Sequence, residues 1–116
     1  QEAGGMTDDQ LSFDLADLIT PQYAPEATIQ ERYSAWIAAN PWVLDAMEHL
    51  IGAWLAAGHK RAGVKQAWEV LRWQYGRTTG DTFKANNTWT SRVARDLLAR
   101  HPEWSEYIET RELRAA

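Results

Sequence analysis

NPWVLDAMEHLIGAWLAAGHKRAGVKQAWEVLRWQY, residues 40–75, decides the fold. Asn40 and Pro41 open the stretch as cap and first-turn residue, a pairing that suits a helix start because the N–H that proline lacks would have no intrahelical acceptor there. Val43, Met47, Leu50, Ile51 and Trp54 then fall on one wide apolar stripe, and Gly58 ends the run. The turn 58–63 leads into a second helical run, about 64–75, in which Val64, Trp68, Leu71 and Tyr75 share a face. Lys65, Glu69 and Arg72 lie on its outer side. The centre of the chain is therefore helix, glycine-bearing turn, helix.

Upstream, Thr28 and Glu31 form a capping-box pair, and Ile29, Tyr33, Trp36 and Ile37 recur at helical spacing. A helix over 29–39 follows. Downstream, residues 77–84 place Gly80-Asp81 between two threonine-containing arms, which fits either a short hairpin or a loop. A further helix, about 88–100, carries Trp89, Val93, Leu97 and Leu98 inward, with Asn87 or Thr88 as its cap and Pro102 as its stop. Trp104, Tyr107, Ile108 and Leu113 continue a short amphipathic pattern over 103–113. The expected fold class is mainly α: a compact domain of four to five helices with a helix-turn-helix-like centre, with or without a β wing.

Residues 28–116 read as one helical domain. Residues 6–27 are acidic, are interrupted by Pro21 and Pro25, and are expected to be a mobile arm. Gln1 to Gly5, ahead of Met6, look like a cloning remnant. Cysteine is absent, which excludes disulfides, thiolate nucleophiles and cysteine-ligated zinc, so stability must come from packing. Seven tryptophans and four tyrosines provide large units of buried area for that packing. No apolar run reaches the roughly 18 residues of a membrane span and no signal-peptide pattern occurs, so a cytoplasmic location is expected.

Net charge is −4, but it is unevenly placed. Residues 1–57 hold one basic residue against nine acidic, residues 58–100 nine basic against three acidic, and residues 101–116 two basic against four acidic. The basic block contains Lys60, Arg61, Lys65, Arg72, Arg77, Lys84, Arg92, Arg95 and Arg100. Set on a helix-turn-helix order, this pattern fits double-stranded DNA: Lys65, Gln66, Glu69 and Arg72 on the second helix are residue types that read base edges. Lys60, Arg61, Arg77 and Lys84 sit where a turn and wing would meet phosphates, and Arg92 and Arg95 complete the candidate nucleic-acid-binding set. The same residues also read as the solvated basic face of a helical bundle.

Catalytic patterns are missing. His49, His59 and His101 are far apart in sequence with no metal-ligand spacing, and neither a nucleophile elbow nor a phosphate-binding glycine loop occurs. Asp45 and Glu48 share a helix face, an arrangement more often solvated charge than an acid/base couple. A non-enzymatic protein without a cofactor is expected. Asn86-Asn87-Thr88 fits the glycosylation acceptor pattern, but with no export signal it reads as a helix cap beside a loop.

Two resemblances add expectations. Gln10-Leu11-Ser12-Phe13-Asp14-Leu15 resembles the hexapeptide by which many bacterial replication and repair proteins bind the sliding clamp, with Phe13 where leucine is usual. That implies a host clamp as partner, Leu11, Phe13 and Leu15 entering apolar pockets while Gln10 hydrogen-bonds at the entrance. The competing reading docks this amphipathic segment on the protein's own core. Over residues 28–113 the chain resembles small uncharacterised proteins of bacteriophages and prophages, through Asn40-Pro41-Trp42-Val43, Trp68 to Arg72, Phe83 to Asn87, Ser91 to Arg95 and Glu109 to Leu113. This implies a phage origin and a bacterial host cytoplasm, and it makes Asn86, Asn87, Arg92 and Arg111 of interest as caps, ion-pair partners or functional groups. The expected function is a DNA-binding or DNA-associated accessory protein; the alternative is an interaction module that binds a host protein through the arm or exposed tryptophans.

Overall fold

In a computed structural model, described for residues 15–108, four α-helices and two 3₁₀ turns build a mainly helical domain. The helices are α1 (Ile29–Ala39), α2 (Pro41–Ala56), α3 (Val64–Thr79) and α4 (Thr90–Arg100). The 3₁₀ turns cover Asn87–Trp89 and Pro102–Glu106. Among the described residues the only β pairing is an isolated parallel bridge between Ala62 and Ile108. No wing forms.

Local chemistry explains most of the boundaries. Thr28 Oγ1 accepts from Glu31 N at 3.0 Å and Glu31 Oε1 accepts from Thr28 N at 2.8 Å, closing the capping box of α1. Asn40 stands between α1 and α2 with Pro41 in the first turn of α2, although its side chain makes no N-cap bond to α2 and turns instead to Ile19 and to Trp36 O in the last turn of α1. Beyond Tyr75, α3 runs four residues further than its apolar stripe. It stops at Gly80, whose left-handed φ of 80° lets its N–H donate to Gly76 O at 2.8 Å. The cap before α4 is Asn86, one residue earlier than expected, because its Oδ1 accepts from Thr88 N at 2.9 Å and closes a 3₁₀ turn ahead of the α-helix.

The core is aromatic. Trp36 on α1 is buried against Trp68 on α3, Phe83 in the loop after α3, and Trp89, at ring separations of 6.1, 6.3 and 5.0 Å. Phe83 also meets Trp68 at 5.4 Å and Tyr75 at 5.5 Å, both edge to face, the arrangement that ring quadrupoles favour. Of the two readings of residues 77–84, hairpin or loop, the part beyond α3 is thus a loop, fixed by the burial of Phe83. Around this centre α3 packs on α2 and α4, and α2 also touches α1 and α4.

Of the arm expected to be mobile over 6–27, residues 6–14 lie outside the described residues. Residues 15–27 lie along the body: Leu15 and Leu18 pack on the core, Leu18 N donates to Tyr75 Oη at 3.2 Å, and Ile19 exchanges two hydrogen bonds with the buried Asn40 side chain. Among the described residues no helix is long and apolar enough to cross a membrane.

Candidate interaction surface

The nine basic-block candidates separate once side chains are placed. Arg92 is only 9% exposed and donates from Nε to Gln30 Oε1 on α1 at 2.9 Å. It is a bundle contact, and the expectation of a surface role fails because position 92 follows the buried Trp89 by three residues, on the same helix side. Arg72 donates from Nη1 to Phe83 O at 3.0 Å, contacts Asn87 through Nη2, and pairs with Glu69 at 3.3 Å. Its guanidinium also covers the Phe83 ring at 5.6 Å. Arg72 therefore clamps the 81–87 loop to α3. We expect Arg72→Ala to lower the unfolding free energy by about 1–2 kcal/mol through these lost charge-assisted bonds, discounted for partial exposure. An unchanged thermal midpoint by circular dichroism would show that the clamp is not structural.

Lys60, Arg61, Lys65, Gln66, Arg77, Lys84 and Arg95 are exposed. They do not all share one face: on α3, Lys65 points well away from Gln66, whereas Gln66, Val70, Trp73 and Arg77 follow one another at i, i+4, i+7 and i+11 along one stripe. Of the clamp-like hexapeptide, Gln10, Leu11 and Phe13 lie outside the described residues. Leu15 packs on the core, so the last of the expected anchors is already engaged by the protein itself.

Two tryptophans are exposed, one of them, Trp54, expected inside. Trp73 is 63% exposed in the middle of the outer stripe of α3, with the Arg77 guanidinium 5.4 Å from its ring centre. Trp54, placed by its spacing on the α2 core stripe, is 39% exposed; it stacks on His59 at 3.6 Å and donates Nε1–H to Arg61 O at 2.7 Å. Beside them a cleft of about 520 Å³ opens between α2 and α3. Leu50 and Trp54 form one wall, Gln66 and Val70 the other, and His59 and Ala62 close the end at the turn. All its walls come from residues 49–70, a span in which Glu69, turned toward Arg72, is the one acidic residue.

The Asp45/Glu48 pair has a structural use. Both carboxylates accept from Arg100 Nη1, at 2.9 and 2.7 Å, so α2 and α4 are cross-linked. A hydrogen bond from His101 and the adjacent Arg100 guanidinium hold the Glu48 carboxyl below its ordinary range against the opposing effect of burial. Among the described residues, no three metal-ligating side chains come together.

The fold and this surface define a small all-α domain with an apolar cleft and an exposed tryptophan on α3. No family model, no curated protein and no solved structure matches the chain.

Proposed function

We propose that this protein is an interaction module that receives an acidic amphipathic helix of a partner protein in the α2–α3 cleft. The observation that carries the reading is Trp73, whose indole stands largely in water at the centre of a helix stripe bordering an open apolar cleft. Buried tryptophans are explained by the core; a solvated one, a turn along α3 from the cleft-lining Val70, is the residue type that anchors interfaces. Charge selects the occupant. The cleft walls contribute no carboxylate, Glu69 beside them is paired with Arg72, and Lys60 and Arg61 flank the closed end with Arg77 at the far end of the stripe, so cations outnumber carboxylates around the cleft. Helix-in-groove docking reads apolar anchors at i, i+3/i+4 and i+7 and fits a cleft walled by two helices.

A labelled peptide of about 14 residues, roughly 21 Å as a helix, with leucines on one face and glutamates on the other, is a sufficient probe. Fluorescence anisotropy is expected to detect binding, and Trp73→Ala to weaken it by about tenfold or more, the effect of losing an interface anchor. Binding that survives Trp73→Ala overturns the assignment. A parallel titration of duplex DNA at about 50 and about 200 mM salt separates the other class: affinity for duplex with a steep salt slope, and none for the peptide, would favour the DNA reading through the exposed cations.

A further inference from the structure

The chain leaves α4 through a strap, residues 101–108, that crosses α2 and ends on the turn before α3. Three contacts hold it. The His101 ring lies between two carboxylates, Nε2 2.5 Å from Glu48 Oε2 on α2 and Nδ1 3.0 Å from Glu103 Oε2 in the 3₁₀ turn. Trp104 is buried, stacks on the His101 ring at 4.0 Å, and lies so close to Gly52 of α2 that a Cβ there would sit 3.7 Å from its Cζ2. At the far end Ala62 N donates to Tyr107 O at 2.9 Å, and Ile108 is buried.

A neutral imidazole has one N–H and one lone pair, and only the imidazolium donates from both nitrogens. The two carboxylate contacts therefore coexist in the charged ring alone. The groups facing His101 are Glu48 from α2, with Asp45 beside it through Arg100, Arg100 from α4, and Glu103 from the 3₁₀ turn. With His101 charged, two cations face three carboxylates; with it neutral, one cation remains. Glu48 keeps Arg100 at 2.7 Å, whereas Glu103 is mostly exposed and would face a lone pair. Glu103 is the contact that must be let go.

We propose that His101 is a pH-operated catch: its imidazolium holds Glu48 of α2 and Glu103 of the 3₁₀ turn together, and its neutral form releases Glu103, so that the 3₁₀ turn carrying Trp104 relaxes and the strap beyond it, as far as the Ala62 contact, shifts with it. The hydrogen bonds from His101 to Glu48 and then to Glu103 raise its pKa above the ordinary 6.5 and lower both carboxyls below 4.5. A raised histidine contributes stability that is complete below its unfolded value and is lost as pH rises through the folded one; the depressed carboxyls contribute above 4.5 and lose it on acidification. The catch is fully closed between about 4.5 and about 6.5 and opens on the alkaline side. Because Ala62 also lines the α2–α3 cleft, the strap's release alters one end of that cleft whatever it binds.

Amide and imidazole resonances of the full chain, followed by nuclear magnetic resonance from about pH 5 to about pH 9, test this. The His101 ring is expected to titrate above 6.5, with the Ala62 and Ile108 amides moving along the same curve. Glu103→Gln is the discriminating variant, because a side-chain amide can accept from the charged ring or donate to the neutral one. Its strap amides should stay flat while His101 still titrates. His101→Phe keeps a ring against Trp104 and should also flatten them, with Glu103→Gln, at an exposed site, serving if that variant does not fold. A His101 midpoint at or below 6.5, strap amides that ignore its titration, or a transition persisting in Glu103→Gln would each overturn the proposal.

Discussion

Trp36→Ala is expected to lower the unfolding free energy by about 3–5 kcal/mol, the usual cost of deleting a large core aromatic and leaving a partly unrelaxed cavity. Domains of this kind are stable by only about 5–15 kcal/mol, so the variant should sit close to the edge of folding. The cause is specific to the site: Trp36 is almost wholly buried and touches rings from α3, the 81–86 loop and the 3₁₀ turn before α4, so its removal unties three elements from α1 at once. Its indole N–H finds no acceptor among the described residues, and so Trp36→Phe, which removes that unpaired donor along with some area, should be clearly milder. Trp73→Ala should stay within about 0.5 kcal/mol of the parent, as surface changes do. Urea unfolding of the three variants checks the division of labour. A loss at Trp73 comparable to that at Trp36 would place Trp73 in the core and remove the basis for the cleft as a binding surface.

The sequence carried the helices because their signals are local. The capping box at Thr28 and Glu31 and the Asn40-Pro41 break set the 29–39 bounds of α1, and the Val64, Trp68, Leu71, Tyr75 stripe set the inner face of α3, all as found. The end of α3 was less legible, since Gly76 to Thr79 carry no apolar period and the stop lies in the left-handed conformation of Gly80. Position 73 did hold a signal: it is five residues after Trp68, about 140° round the helix from the core stripe, so its spacing alone marks it as outward. Trp54 had no such signal: its spacing puts it on the apolar stripe of α2, and there it forms a wall of the open cleft.

Charge was the weaker guide. A run of cations states nothing about which of them the fold consumes, and Arg72, Arg92 and Arg100 were each taken up by partners 11 to 62 residues away. The same holds for the segment before Thr28. Its two prolines and carboxylates suggested a free arm, whereas what ties residues 15–27 down is a long-range contact that periodicity cannot report.

That contact supports the second large effect. Asn40→Ala is expected to cost about 2–3 kcal/mol, because three buried or half-buried hydrogen bonds vanish together at roughly 1 kcal/mol each. Asn40 has no exposed surface; its Nδ2 donates to Ile19 O at 2.8 Å and Trp36 O at 2.9 Å, and its Oδ1 accepts from Ile19 N at 2.7 Å. One amide thereby joins the extended N-terminal segment to the α1–α2 corner, next to the core's central tryptophan. Asn40→Asp separates this hydrogen bonding from shape. A carboxylate keeps the acceptor for Ile19 N but turns toward two carbonyl oxygens with nothing to donate, so its pKa must rise and its cost at neutral pH should exceed that of alanine. A carboxyl raised in the folded state is stabilising only while protonated, and Asn40→Asp should therefore regain stability as pH falls through that raised value, where Asn40→Ala gains nothing. Urea midpoints of the two variants across pH, with hydrogen exchange at the Ile19 amide as the local reporter, decide it. Equal costs at every pH, or an Ile19 amide as protected in Asn40→Ala as in the parent, would mean that residues 15–27 are held by Leu15 and Leu18 alone.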